Sequence, residues 1–397
     1  MNTPVGHLSL DLVDRLRDAA QAAQPSYERD LAEIVSIDSG SFDPAGVNRV
    51  ADWVAARLGA LGFAVERLHS PDGTTGDALV GRRRGSGDKR IALFAHMDTV
   101  FEVGDAALRP FRIDEHGHGR GPGVTDDKAG IIAVLHAAAH LTALGAERYG
   151  ELVLVFTPDE EIGSPFGAGV LRDATAGVDA ALCMECAREN GDLVTSRKGV
   201  ADIEIAVKGK AAHSGIEPER GAHAGVEAAH LTLFMQSLAD AASGVTVNVG
   251  MLRAGERLNI VPDRATLQVE VRAVTAVALE ATLDRITERV AAPLTAGTEI
   301  AVVSVDHCPP MEESAGGAAL AERALTIAGA LGIATGLART GGVSDANKIA
   351  ARGIPTLDGL GPVGGGDHSE SEWLELSSVP SRVAMLAALI DDIGGSA

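Results

Sequence analysis

The chain has 397 residues, of which 55 are acidic and 34 basic, so its formal net charge is −21, and 46% of its residues are hydrophobic. This composition is typical of a globular protein large enough for two domains, and it excludes a disordered or collagen-like chain. The acidic excess argues against a nucleic-acid or membrane partner. Three cysteines cannot form a disulfide framework. Because we recognise neither a signal peptide nor a membrane-spanning apolar run, we expect a cytoplasmic protein.

Helices alternate with buried strands in the first half of the chain. Helical spacing of apolar residues predicts helices over 7–35 and 46–61. Two nearly continuous apolar runs, 91–100 and 151–161, are typical of strands buried on both faces of a parallel sheet, and residues 179–186 form a third. A Gly/Pro-rich loop and an Ala-rich helix separate the first two runs. This order predicts a layered α/β domain.

The pattern changes in the middle of the chain and later changes back. The middle block contains two stretches that alternate apolar and polar residues with a period of two, as in an antiparallel sheet with one covered face. Helical patterns lie between them at 221–239 and 276–292. We therefore expect residues 199–307 to form an α+β domain inserted into a larger α/β domain made of residues 1–198 and 308–397.

Side chains able to bind a metal stand where the buried strands end. His96, Glu161 and Glu185 come from these ends, whereas Asp126 and His368 lie in two loops. Taken singly, each has an ordinary explanation, such as a helix N-cap for Asp126 or a solvated turn for the glutamates. Because the carboxyl ends of parallel strands meet at one edge of a sheet, the five can also form one cluster. Two imidazoles and three carboxylates suit two Zn²⁺ ions, and Co²⁺ or Mn²⁺ fits the same ligands.

Two further acids stand beside these candidate ligands. Asp98 points to the same side of its strand as His96 and can hold the imidazole ring in place. Glu160 precedes Glu161, and one of these glutamates can bind metal while the other serves as general base. We expect both glutamates to lie in an extended segment, where neighbouring side chains point in opposite directions.

Eight segments, in the same order along the chain, resemble the co-catalytic zinc exopeptidase and deacylase family that includes glutamate carboxypeptidase, acetylornithine deacetylase and succinyl-diaminopimelate desuccinylase. The resemblance is nearest to glutamate carboxypeptidase. The segments are HMDTV (96–100), GPGVTDDKAG (121–130), PDEEIGS (158–164), MEC around Glu185, GKAAHSG (209–215), LNIVPDRATLQVEVR (258–272), TGGVSDA (340–346) and GGGDHSE (364–370).

The resemblance implies a layered zinc-hydrolase fold with two Zn²⁺ per chain and a role for each candidate. It assigns the metal ligands as His96 with Glu185 on one ion, Glu161 with His368 on the other, and Asp126 bridging both. Glu160 would be the general base, Asp98 would orient His96, and the Asp126–Asp127 peptide would be cis. The implied activity is hydrolysis of an amide bond next to a free carboxylate, in a peptide or an N-acyl amino acid.

By the same resemblance, residues 199–307 would be a lid and dimerisation domain, and the protein would be a homodimer. His213 would reach the partner subunit's active site and stabilise the oxyanion of the reacting amide. Asn259 and Arg272 would bind the carboxylate of the substrate.

Alternatives to a glutamate-carboxypeptidase-like enzyme remain open. An N-acyl-amino-acid deacylase of the acetylornithine deacetylase or succinyl-diaminopimelate desuccinylase type would use the same residues. A metal-free binding protein of this fold is disfavoured because every expected ligand is present, and an oxidoreductase because no dinucleotide fingerprint follows the first buried strand. Cys183 and Cys186 have the spacing of a redox or zinc-thiolate pair, but without a second such pair we interpret them as buried, reduced thiols.

Overall fold

The computed structural model describes residues 9–396, which form two compact units. The second unit comprises residues 196–312 and 340–343, and the first unit comprises the rest of the described chain. The second unit therefore extends beyond the 199–307 block expected from the sequence and takes in a short distant segment. Residues 7 and 8 of the first predicted helix lie outside the described part of the chain.

Within residues 9–396 the helices are α1 (Leu10–Val35), α2 (Pro44–Ala60), α3 (Asp105–Leu108), α4 (Lys128–Leu144), α5 (Gly167–Ala174), α6 (Ala224–Gln236), α7 (Ala276–Val290), α8 (Ala315–Leu331), α9 (Asp345–Ala350) and α10 (Val379–Gly394). The strands are β1 (Ala64–Leu68), β2 (Ala78–Arg84), β3 (Arg90–His96), β4 (Arg112–Ile113), β5 (His118–Arg120), β6 (Glu151–Thr157), β7 (Ala180–Cys183), β8 (Leu193–Arg197), β9 (Gly199–Lys208), β10 (Thr246–Ala254), β11 (Arg264–Ala273), β12 (Glu299–Cys308), β13 (Leu337–Thr340), β14 (Thr356–Leu357), β15 (Gly364–Gly365) and β16 (Trp373–Glu375). None of the helices is long and apolar enough to cross a bilayer.

A six-stranded sheet in the order β1–β2–β6–β3–β7–β14 runs through the first unit. Strands β6, β3, β7 and β14 are mutually parallel, whereas β1 and β2 pair antiparallel with their neighbours. Residues Ile91–Ala95 of β3 are all at most 5% exposed, because one face packs in a cluster with α1, α4 and α10 while α5 and α9 contact the neighbouring strands. The predicted layered α/β arrangement is confirmed, in a sheet that is mixed rather than wholly parallel.

The three central parallel strands end at nearly the same level. His96, the last residue of β3, is opposite Thr157, the last residue of β6, and Phe94 of β3 is opposite Cys183, the last residue of β7. The polar segments that follow these strands therefore leave the sheet at one edge, as the sequence predicts. The Asp126–Asp127 peptide bond, just before α4, is cis and confirms that prediction.

A buried arginine in α10 holds the loops beyond β7 and β14. Arg382 is 1% exposed, and its guanidinium donates to the backbone carbonyls of Gly191, Gly359 and Gly361. The N–H of Gly361 in turn donates to the carbonyl oxygen of Glu185 at 3.0 Å. Since a buried guanidinium is tolerated only when acceptors surround it, α10 fixes the path of the backbone at Glu185.

The second unit is an antiparallel sheet with one covered face. Its strands lie in the order β10–β11–β9–β12. Alternate residues of β9 and β11, such as Ile203, Ile205 and Leu267, are buried against α6 and α7, whereas Asp202 and Lys208 on the opposite face of β9 are exposed. The period of two in the sequence thus corresponds to one apolar and one solvated face.

Candidate metal centre

Five predicted ligands come together at the carboxyl edge of the central sheet. The Nε2 atom of His96 lies 2.9 Å from Oδ1 of Asp126 and 3.8 Å from Oε1 of Glu185. The Nε2 atom of His368 lies 3.1 Å from the other oxygen of Asp126, Oδ2, and 3.0 Å from Oε2 of Glu161. Asp126 therefore stands between two imidazoles and turns one oxygen to each. These are the pairings that the resemblance implies.

The electrostatics of this cluster suit cations. Burial raises the pKa of Glu160 and of Glu161, and nearby carboxylates raise both further. Hydrogen bonds with Asp126 and Glu161 raise the pKa of His368 to about 11. The protein thus places several carboxylates within a few ångströms of two imidazoles, in a partly desolvated position. Imidazole nitrogen and carboxylate oxygen are ordinary ligands of Zn²⁺, and two divalent cations would balance this charge.

The two neighbouring glutamates are arranged differently from our expectation. Glu160–Ile162 form a single turn of 3₁₀ helix rather than an extended segment, so the prediction that the two side chains point in opposite directions is wrong. The ligand atoms of His96, Asp126 and Glu161 lie within 4.8 Å of one another, and those of His96, Glu160 and Glu185 do as well. Both glutamates therefore reach the cluster, and position alone does not separate a ligand from a base.

Asp98 explains why the turn forms at this place. Its buried carboxylate accepts the backbone N–H of Glu160 at 3.0 Å, the N–H of Glu161 at 3.1 Å and the hydroxyl of Ser41 at 2.7 Å. The Nδ1 atom of His96 lies 3.0 Å from the backbone carbonyl of Asp98 and 3.3 Å from its carboxylate. Asp98 therefore lies against the Nδ1 side of the imidazole, and its carboxylate also holds the backbone of the glutamate turn, which the sequence did not indicate.

An ion pair between Asp345 and Lys348 holds the far end of that loop. Asp345, in α9, accepts the hydroxyls of Ser164 and Thr157, and it pairs with Lys348 at 2.9 Å. Lys348 also donates to the hydroxyl of Ser164 at 2.8 Å. The segment that carries Glu160 is thus anchored to buried groups on both sides.

Glu372 is a buried residue that supports the loop of Asp126, and we did not identify it from the sequence. It is 1% exposed, and its carboxylate accepts the backbone N–H groups of Gly123, Thr125 and Asp126 at 2.8–3.1 Å. It thereby joins the loop of Asp126 to the segment that follows His368. The sequence offers Glu370 and Glu372 in the same polar stretch, and nothing in the pattern distinguishes them.

The three predicted substrate contacts lie in the second unit, and they do not come together there. His213 and Asn259 are exposed neighbours, and the N–H of Ser214 donates to the carbonyl of Asn259 at 3.1 Å. Arg272, near the far end of β11, pairs with Glu270 at 2.8 Å. Asn259 precedes Arg264, the first residue of β11, and the rise of a strand separates Arg264 from Arg272 by about 27 Å. One second unit therefore cannot present all three side chains to a single small substrate.

The two closely spaced cysteines are buried thiols that form no disulfide. The thiol of Cys186 contacts the carboxylate of Asp367 at 3.8 Å and lies 3.7 Å from the guanidinium of Arg188. Burial raises the pKa of Cys186 well above its usual range, so the thiol stays protonated. These contacts agree with the interpretation of buried, reduced thiols.

Replacing Glu372 with alanine tests whether this carboxylate positions the loop of Asp126. Glu372→Ala should lower the affinity for divalent metal roughly 10- to 100-fold, as is usual when a group that orients metal ligands is removed. Glu370→Ala, at an exposed position two residues away, is the matched control and should retain wild-type affinity. Metal titration by calorimetry gives the comparison, and equal affinities for the two variants would contradict the positioning role.

The chain matches peptidase family M20/M25/M40 over residues 92–392. Carboxypeptidase G2 of Pseudomonas sp. (strain RS-16) is 33% identical to it over 385 residues, which cover 96% of this chain and 92% of that protein. Acetylornithine deacetylase of Myxococcus xanthus is 32% identical over 272 residues, covering 62% of this chain and 67% of that protein. The crystal structure of aminopeptidase PepT from Bacillus cereus ATCC 10987 shares the fold, with a TM-score of 0.78 and 24% identity over 93% of this chain and 98% of that one.

The family match spans most of the chain, and the similarity to carboxypeptidase G2 spans nearly all of it. Both agree with the layered fold and with the cluster of histidines and carboxylates at the edge of its sheet. The chain therefore belongs to peptidase family M20/M25/M40, a family of metal-dependent hydrolases.

Proposed function

We propose that this protein is a di-zinc carboxypeptidase that hydrolyses an amide bond next to a free carboxylate. The observation that carries the proposal is the position of Asp126, whose two oxygens face two different histidines. His96 and Glu185 would hold one ion, and Glu161 and His368 the other. A carboxylate shared in this way suits a pair of divalent ions. Zn²⁺ is the proposed native metal, and Co²⁺ or Mn²⁺ is compatible with the same ligands.

The catalytic role falls to Glu160 in this proposal. When bound, the two ions would polarise the scissile carbonyl and lower the pKa of a nearby water molecule. Glu160 accepts a proton from that water as its oxygen adds to the carbonyl carbon. Glu160 then delivers the proton to the leaving nitrogen as the C–N bond breaks. The raised pKa of its buried carboxyl suits a group that must both accept and release a proton.

The substrate we propose is an N-acyl-glutamate or a peptide that ends in glutamate. Carboxypeptidase G2 supports this choice, because the alignment with it covers almost the whole chain. Arg272 would bind the free carboxylate, since a guanidinium recognises a carboxylate through two parallel hydrogen bonds. The similarity to acetylornithine deacetylase favours a second candidate, an N-acyl-amino-acid deacylase with the same catalytic residues.

We further propose a homodimer that forms through the second unit, with His213 and Asn259 of each chain contributing to the site of its partner. Their separation from Arg272 along β11 supports this arrangement. In a two-fold dimer, His213 and Asn259, at one end of a second unit, can contact the substrate that the partner chain binds. Cys183 and Cys186 are buried thiols that form no disulfide, which fits the reducing cytoplasm that we propose as the location.

The proposed function predicts a dependence on two metal ions. Purified protein should contain close to two divalent ions per chain by mass spectrometry, because two half-sites share Asp126. Chelation should abolish hydrolysis of N-acyl-glutamates, and added Zn²⁺ or Co²⁺ should restore it. The substrate panel should include acetylornithine, succinyl-diaminopimelate and dipeptides. Full activity in metal-stripped protein would refute the proposal.

Matched substitutions test which of the two glutamates binds metal and which transfers the proton. Glu160→Gln should keep both ions and lose about 10²–10⁴-fold in kcat, which is the usual contribution of a general acid–base group. Glu161→Gln should instead lose metal. Metal content and kcat are measured for both variants, and a reversal of the two phenotypes would exchange the assigned roles.

Mixed dimers test whether His213 acts across subunits. His213→Ala and Glu160→Gln chains, co-expressed with different tags, should each be nearly inactive as homodimers. The heterodimer should recover roughly half of the wild-type kcat, because one of its two sites has both an intact Glu160 and an intact His213 from the other chain. A heterodimer of two differently tagged Glu160→Gln chains is the control. If His213 acts within its own chain, no activity will return.

A further inference from the structure

An open cavity of about 670 Å³ lies beside the loop that joins β10 to β11. Arg253, Arg257 and Arg264 line this arginine cavity, and all three are exposed. Every residue that lines it belongs to the second unit, and none of the candidate metal ligands is among them. The arginine cavity is therefore a feature of the second unit itself.

The pairing of the strands sets two of these arginines near each other. Arg253 of β10 is opposite Thr266 of β11, and Arg264, two residues before Thr266, points to the same face. Diagonal neighbours of this kind in an antiparallel pair are about 7–8 Å apart. On the next strand, Lys208 of β9 is directly opposite Arg264 and pairs with Glu299 at 3.5 Å. Cations from three neighbouring strands thus share one end of the solvated face of the sheet.

The protein does not neutralise the arginines of this cavity. The chain has 55 acidic residues against 34 basic, yet no carboxylate oxygen of residues 9–396 lies within 4.0 Å of the guanidinium groups of Arg253, Arg257 or Arg264. Glu256 and Asp263 also line the cavity, but they form no ion pair with these arginines. Like charges placed together on a sheet repel each other, so the cluster favours an anion that compensates it.

Backbone hydrogen bonds hold the loop of the arginine cavity in place. The N–H of Gly209 donates to the carbonyl of Asp263 at 2.8 Å, and the N–H of Val261 donates to the carbonyl of Ala212 at 2.9 Å. Gly255, which begins the loop, has a φ of 68°, in the left-handed region that favours glycine. The arginines therefore extend from a fixed backbone, which reduces the entropy lost when a ligand is bound.

We propose that the arginine cavity binds a small polyanion, a molecule that carries two or more phosphate or carboxylate groups. A guanidinium recognises either group through two parallel hydrogen bonds. Three guanidinium groups around one cavity favour several anionic groups in one ligand, because a single carboxylate would leave the other arginines uncompensated. The volume lies within the usual range of small-molecule sites. This site is additional to the metal centre, and its occupation requires no catalysis.

Fluorescence anisotropy with pyrenetetrasulfonate tests the proposal, because this tetra-anion is fluorescent and its sulfonates bind metal ions only weakly. Wild-type protein at low salt should bind the probe saturably. Arg253→Gln/Arg264→Gln should raise the Kd at least about tenfold, because it removes two of the three guanidinium groups. Arg285→Gln removes an exposed arginine of the same unit that lies outside the cavity, and this matched control should retain the wild-type Kd. Equal Kd values for the wild type and the double variant would overturn the proposal.

Competition on wild-type protein distinguishes the two classes of polyanion without any substitution. Tripolyphosphate and tricarballylate should both displace the probe, whereas acetate at the same ionic strength should not. The tighter competitor shows whether the cavity prefers phosphate or carboxylate groups. Failure of both polyanions to displace the probe, or equal displacement by acetate, would contradict a site for polyanions.

A variant of the metal centre separates this inference from the proposed function. Glu161→Gln should bind pyrenetetrasulfonate with the wild-type Kd, because Glu161 does not line the arginine cavity. A rise in Kd as large as that of the double variant would place the probe at the metal centre and overturn the proposal. Absence of hydrolysis would refute the proposed function and leave this binding result unaffected.

Discussion

The sharing of one carboxylate between two imidazoles is the constraint on which the first unit depends. Asp126 can face His96 and His368 at once only if two loops and the end of β3 meet within a few ångströms. This meeting concentrates negative charge, because Glu161 and Glu185 approach the same histidines. Like charges at such distances repel strongly in a partly desolvated site. The arrangement therefore suits the binding of divalent cations, and the family to which the chain belongs uses metal for hydrolysis.

A set of buried acids keeps this cluster in place without entering it. Asp98 holds the turn of Glu160 and Glu161, and Glu372 holds the loop of Asp126. Each acts through backbone N–H groups, so the loops are fixed whatever side chains they carry. Asp345, paired with Lys348, secures the far end of the glutamate loop. Placement of ligands within fractions of an ångström requires such support, because catalysis falls steeply when the reacting groups are displaced.

The chemistry and the choice of substrate are carried by different parts of the chain. The metal centre at the sheet edge would supply the chemistry of amide cleavage in general. In the proposed function, Arg272 would provide the cation that a free carboxylate requires, and its position on β11 would leave His213 and Asn259 for a partner subunit. Specificity in this proposal would therefore depend on residues outside the metal centre, some of them supplied by a second chain.

The sequence by itself determined the features that depend on local pattern. Continuous apolar runs identified β3, β6 and β7, because strands covered on both faces have no polar side to display. The alternation with a period of two identified the sheet of the second unit, because strands with one buried and one solvated face alternate apolar and polar residues. His96, Glu185 and the glutamate pair could be singled out because they stand where parallel strands end, and the order of eight segments indicated the family.

Only the tertiary structure decided the features that depend on partners distant in the chain. The turn at Glu160 replaces an extended segment because Asp98, in another loop, accepts both of its N–H groups. Glu372 differs from Glu370 only in being buried against the loop of Asp126. The antiparallel pairing of β1 and β2, and the addition of residues 340–343 to the second unit, likewise follow from long-range packing. Such hydrogen bonds join residues tens to hundreds of positions apart, and no local periodicity records them.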